Sequence, residues 1–262
     1  MLALDFDGVI SDSALEAFVV AARSHLRMRS GSLVAARLGA LVDGPGAPDP
    51  RRIRADPLFQ DFVELMPLGN RAEDYEVILA ALESGVDLPD QAAYDAFYAT
   101  HAPDFLADYH RCFYAERSTF AEKEPRVWES LMQPYAEIVD LLRGHAGRVE
   151  LAIATAKDRA SVLRLLHCYG LADLFAGDRL LDKEMGRSKR AHLERLQQRW
   201  GGDFEQITFV DDKVNHLDAV ADLGLRCVLA AWGYNGRREH ELARERGYQV
   251  CELARAERVL FG

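Results

Sequence analysis

An isolated strand at the start of the chain constrains the fold more than any other feature. Leu2-Ala3-Leu4-Asp5-Phe6 is a short apolar run followed by Gly8, the pattern of a buried parallel strand that ends in a turn. Nothing strand-like follows from Asp12 to about Met132. Apolar residues there recur at three- and four-residue intervals, which predicts helices over 14–28, 32–42, 58–66, 72–82, 91–100 and 104–117. The loop from Gly44 to Pro50, Pro67 with Gly69, and Pro89, Pro103 and Pro125 punctuate them. After Pro134 the rhythm becomes alternating: helices over 135–142, 159–169, 190–200, 214–223 and 237–246, and strands over 149–155, 179–182, 207–211, 226–231 and 248–252. A lone strand cannot satisfy its own backbone groups, so the first strand needs that later sheet. The expected organisation is an α/β core from 1–11 and 134–262, with a Rossmann-like parallel sheet, interrupted by an all-helical insertion over 12–133.

Composition narrows the partners. A net charge of −10 works against the phosphate backbone of nucleic acid, and no apolar stretch approaches the roughly 20 residues that cross a bilayer. With no signal peptide ahead of the first strand, the expected location is the cytoplasm. Cys112, Cys168, Cys227 and Cys251 show no paired spacing and read as small buried thiols in a reducing compartment. Seven arginines between Arg23 and Arg54 face only Asp43 and Asp49. They read as a solvated helix face, or alternatively as an anion-attracting patch.

In an open α/β sheet, ligands bind beyond the carboxyl ends of the strands. The first strand delivers Asp5 and Asp7 there, the next Thr155, the third Lys183 or Lys189, and the fourth Asp211-Asp212. Carboxylates gathered at one edge raise each other's pKa unless a cation neutralises them, and an all-oxygen site with room for phosphate suits Mg²⁺. A hydroxyl and an ammonium add donors for phosphoryl oxygens, which completes a set suited to phosphoryl transfer. Lys189 is preferred over Lys183 because Ser188-Lys189 opens a helix, where ammonium and helix N-terminus can both face phosphate. Lys157 reads as a solvated residue at a helix start, and His216 and Asp218 as helix-surface residues.

Asp5-Phe6-Asp7-Gly8-Val9, Ala152-Ile153-Ala154-Thr155-Ala156-Lys157, a lysine before the helix over 190–200, and Phe209-Val210-Asp211-Asp212 resemble, in order, the four motifs of the haloacid dehalogenase superfamily. The turn Trp232-Gly233-Tyr234 resembles its phosphoglycolate-phosphatase-like members. The resemblance implies that the insertion is a helical cap, that Asp5 is the nucleophile and a Mg²⁺ ligand, and that Asp7 is the general acid and base whose backbone carbonyl also binds metal. It implies that Thr155, Ala156 and Lys189 hold the phosphoryl group and that Asp211 and Asp212 complete the metal site. The fourth motif departs from the commonest pattern, since Asp211 stands where glycine is usual and His216 where a second aspartate is usual. The implied function is a Mg²⁺-dependent phosphatase acting on a small phosphorylated metabolite through an aspartyl-phosphate. A sugar-phosphate phosphomutase shares these motifs, and a catalytically inactive phosphometabolite-binding protein would keep the site. A dehalogenase would need neither Asp7 nor the acidic pair, and a phosphonatase would need an insertion lysine where only Lys123 is present.

Overall fold

Six strands are too short to stand alone, and each solves this by pairing in one parallel sheet. In the computed structural model, which describes every residue but Asn70, Ala176 and Arg187, these are β1 (Leu2–Leu4), β4 (Leu151–Ala154), β5 (Leu180–Leu181), β6 (Thr208–Asp211), β7 (Arg226–Ala230) and β8 (Gln249–Cys251). Their order is β5-β4-β1-β6-β7-β8, all parallel, so the expected Rossmann-like sheet is present. The first strand lies at its centre, with Leu2 beside Leu151 on one side and Thr208 on the other. Successive strands run outward from β1 through β4 to β5, then return to its other side at β6. The order therefore reverses between β1 and β6, where α/β sheets open a crevice for ligands.

The helices of this unit are α9 (Ala136–Gly144), α10 (Arg159–Cys168), α11 (Lys189–Trp200), α12 (Val214–Asp218), α13 (Arg237–Glu245) and α14 (Ala256–Leu260). Two starts bear on the site. Asp158 caps α10 by accepting from the Ser161 N–H at 2.9 Å, and Ser188 caps α11 by accepting from Ala191 at 3.2 Å. Ala3, Ala152 and Phe209 of the sheet pack with Leu193 and Leu196 of α11 and Leu217 of α12 in one buried core. A small ribbon, β2 (Ser11–Asp12) against β3 (Gln133–Pro134), was not legible in the periodicity because two-residue strands carry none. The expected helix over 214–223 is shorter than predicted: α12 stops at Asp218, and residues Ala221–Leu223 form a separate 3₁₀ turn.

Contacts divide the chain into two compact units, Met1–Asp12 with Gln133–Gly262, and Ser13–Met132. The second contains α1 (Ala14–Met28), α2 (Ala35–Val42), α3 (Pro50–Ala55), α4 (Pro57–Leu65), α5 (Ala72–Ser84), α6 (Gln91–Tyr98), α7 (Pro103–Lys123) and α8 (Pro125–Ser130). Helix α3 begins where the expected loop ends and lies outside the helices expected from periodicity; Asp49 before Pro50 caps it, as Asp56 before Pro57 caps α4. Phe18 of α1 meets Phe59 and Phe62 edge-on, both at 5.3 Å. Glu16, wholly buried, accepts from both Arg117 and Trp128.

Four of the seven arginines find acidic partners in the same unit. Arg23 pairs with Asp43, Arg27 with Glu116, Arg29 with the buried Glu76, and Arg37 with Asp56. Apart from Asp43, these acids lie outside the stretch from Arg23 to Arg54, so a local count of charges overstates the positive field. Among the cysteines, Cys227 and Cys251 are buried, Cys112 is half-buried, and Cys168 is exposed, contrary to the expectation that all four are core thiols; all are free.

Candidate active site

Every sheet-end residue named from the sequence extends or follows the ladder that places it. The Asp5 N–H donates to Val210 O at 2.9 Å, and the Thr155 N–H to Leu181 O at 2.9 Å, so both continue their strands' pairing by one residue. Asp5 is buried. One carboxylate oxygen accepts from the Phe6 N–H at 2.7 Å, and the other lies 2.6 Å from the Lys189 ammonium. That ammonium also lies 3.0 Å from Asp211 and donates to Ala154 O at 2.9 Å. Lys189 is buried as the first residue of α11, whereas Lys183 is exposed. It is therefore Lys189 that the fold brings to Asp5.

Burial lowers the Lys189 pKa and the carboxylates Asp211 and Asp5 raise it, with a net upward shift that keeps it an ammonium. Burial raises Asp5, and Lys189 only partly offsets this. For Asp211 burial is outweighed by His216 and Lys189, and its carboxyl is held well below the usual range. For Asp212 burial, and then the charge of Asp211, outweigh the help of Lys213 and the Tyr234 N–H and push it well above its ordinary value.

Two residues behave differently from their sequence reading. Lys157 is not solvated; its side chain is 2% exposed and its ammonium lies 3.1 Å from one oxygen of Asp7 and 3.3 Å from the other. His216 is half-buried, with Nδ1 3.0 Å from Asp211, so it belongs to the carboxylate cluster rather than to a helix surface. The sequence signal for Lys157 is a charge imbalance, four sheet-end carboxylates against one lysine. Ala156 lies exposed in the turn between Thr155 and Lys157.

The loop after β7 joins two parts of the site. Trp232 Nε1 donates to Val9 O at 3.0 Å, the Tyr234 N–H to the Asp212 carboxylate at 2.9 Å, and Asn235 Nδ2 to Asp212 O at 2.9 Å. Gly8, at φ +80°, has no room for a side chain, since a Cβ there would lie 2.3 Å from Asp212 Oδ2. Gly8→Ala is thus expected to push the Asp212 carboxylate aside and to lower kcat/KM by about 100-fold. It should also cost about 1–3 kcal/mol of stability. Steady-state kinetics and denaturant unfolding measure the two effects, and wild-type kinetics in a folded variant would show that Asp212 need not sit where it does.

The residues fit a divalent cation. Ligand atoms of Asp5, Asp211 and His216 all lie within 4.8 Å of one another. The raised pKa values of Asp5 and Asp212 are the mark of buried carboxylates without enough positive charge nearby. Asp211 is engaged by Lys189, His216 and the Lys213 N–H, which leaves Asp212 the carboxylate in greater need of a cation.

Comparisons with known proteins give the family and the fold. The model of the haloacid dehalogenase-like hydrolases matches residues 1–224. The chain belongs to the haloacid dehalogenase-like hydrolase family. No curated protein matches it by sequence. Solved structures similar in fold include a predicted phosphoglycolate phosphatase from Haemophilus somnus, at 17% identity and a TM-score of 0.61, covering 99% of this chain and 96% of that one. A haloacid dehalogenase-like family protein from Streptococcus pneumoniae aligns at 13% identity and 0.60, covering 98% and 96%. A predicted phosphatase from Clostridium acetobutylicum aligns at 12% and 0.57, covering 98% and 96%.

Proposed function

We propose that this hydrolase is a magnesium-dependent phosphatase that cleaves a small phosphorylated metabolite through a phosphorylated Asp5. The observation that carries the reading is Asp5 itself: a buried carboxylate at the switch point of the sheet, oriented by the Phe6 N–H and fixed by the Lys189 ammonium. Its free lone pairs attack phosphorus, the bond from phosphorus to the ester oxygen breaks, and the departing oxygen takes a proton from Asp7. Asp7 then accepts a proton from water as that water attacks the acyl phosphate, which releases inorganic phosphate and restores Asp5. Thr155, the backbone at Ala156 and Lys189 hold phosphoryl oxygens. Asp5, the Asp7 backbone carbonyl and Asp212 would hold magnesium directly, with Asp211 kept for Lys189. When bound, magnesium neutralises charge on the phosphoryl oxygens and the surrounding carboxylates.

The net charge of −10 favours small substrates over nucleic acids. Four free cysteines support a cytoplasmic setting. Chelation is expected to abolish hydrolysis of a panel of small phosphate esters, and Mg²⁺ to restore it. Mg²⁺ should also raise the melting temperature of the metal-free protein. This gain should shrink as pH falls into the carboxyl range, where protons compete for the same oxygens. Full activity after exhaustive chelation would overturn the metal site, and no hydrolysis of any ester with Mg²⁺ present would overturn the phosphatase.

A further inference from the structure

The buried lysine beside Asp7 has no part in the chemistry described so far. Its surroundings show why it is held. Lys157 follows Thr155 by two residues, and its N–H donates to Thr155 Oγ1 at 3.2 Å. Its carbonyl accepts from the Lys183 N–H at 3.4 Å. Asp158, next in the chain, caps α10. The turn between the end of β4 and the start of α10 is thus fixed at Thr155, Lys157 and Asp158, and the lysine stem inside it is 2% exposed. The ammonium reaches both oxygens of Asp7, at 3.1 and 3.3 Å, while Asp7 itself keeps 34% of its side chain exposed.

An exposed carboxylate on a turn samples several rotamers, and an acid that must reach one departing oxygen loses rate with each unproductive one. A two-oxygen contact from a rigid, buried ammonium removes that freedom. The division between the two lysines is clean: Lys189 lies against Asp5 and Asp211, and Lys157 against Asp7.

We propose that Lys157 is the positioning residue for Asp7, holding its carboxylate where it can exchange a proton with the departing oxygen and then with water. The inference rests on the role given to Asp7 above, and it adds a residue to that role. It also ties the phosphoryl-holding hydroxyl of Thr155 and the acid of the reaction to one turn of chain.

The test compares Lys157→Met, which keeps the stem and removes the charge, with Lys157→Arg, which keeps a cation. Each is assayed in the intact protein with Mg²⁺, on an alkyl phosphate and on p-nitrophenyl phosphate. Lys157→Met should lower kcat on the alkyl phosphate by about 100-fold, with KM changed by less than about threefold. On p-nitrophenyl phosphate, whose leaving group needs little protonation, it should retain a first burst and then turn over slowly. Lys157→Arg should recover at least about tenfold of the loss. The decisive measurement is the double variant Asp7→Asn with Lys157→Met. If the lysine acts through Asp7, adding Lys157→Met to Asp7→Asn should cost less than about twofold further.

Losses that multiply in the double variant would overturn the proposal. So would a raised KM at unchanged kcat, which would place the ammonium on the substrate. Should Lys157→Met fail to fold, as circular dichroism would reveal, Lys157→Arg and Lys157→Gln in the Asp7→Asn background still decide the coupling. Normal turnover by Asp7→Asn alone would fault the role of Asp7. A crippled Asp7→Asn beside a fully active Lys157→Met would fault only the lysine.

Discussion

Asp5→Asn is expected to remove turnover almost completely, by on the order of 10⁵-fold in kcat, because an amide cannot serve as the nucleophile that splits the reaction into two steps. The loss should come without loss of fold. Asp5 is buried and its pKa is raised, so the ionised carboxylate is held at a cost that the neutral isostere avoids. In the absence of metal, the variant should melt at or above the wild-type temperature, the usual sign of a group kept for chemistry rather than for stability. Quenching wild-type turnover in acid and analysing the peptides by mass should find phosphate on Asp5. Phosphate on another residue, or a variant with a tenth of wild-type activity, would end the assignment.

Asp7→Asn should separate the two chemical steps. With an alkyl phosphate, whose alkoxide leaves poorly without a proton, hydrolysis should fall by about 10³-fold. With an aryl phosphate of an acidic phenol the first step needs little help, so one equivalent of phenol should be released quickly. The second step should then stall, since the amide cannot activate water, and phosphate should remain on Asp5. Rapid-quench measurement of the burst together with mass analysis of the trapped peptide checks both halves. Steady turnover at the normal rate would remove Asp7 from the mechanism.

Much of this candidate site is legible in the sequence. Asp5, Thr155 and Asp211-Asp212 announce themselves because each follows a run that must be a strand, and strand ends share one edge in a parallel sheet. Lys189 followed from the Ser188 cap, a signal within four residues. What escaped was long-range. Lys157 looks like any lysine before a helix, and only the fold brings Asp7, 150 positions away, to its ammonium. The partners of the arginines in the helical unit are hidden for the same reason, since Glu76 and Glu116 neutralise Arg29 and Arg27 from distant helices. The β2–β3 ribbon and the end of α12 depend on pairing and on local packing, which periodicity does not report. Helix α3 was a different failure, because aspartate followed by proline was already a start signal in the sequence.

The central position of β1 governs how the molecule can be made. It is synthesised before its neighbours, since Leu151 and Thr208, the residues beside Leu2, come from β4 and β6, beyond the helical insertion. At about 5–20 residues per second, roughly 10–40 s pass between the synthesis of β1 and that of β6. Until β4 emerges the nascent chain carries the middle of its sheet with neither flank in place, and until β6 emerges with only one, so the crevice that holds Asp5 closes among the last long-range events of folding.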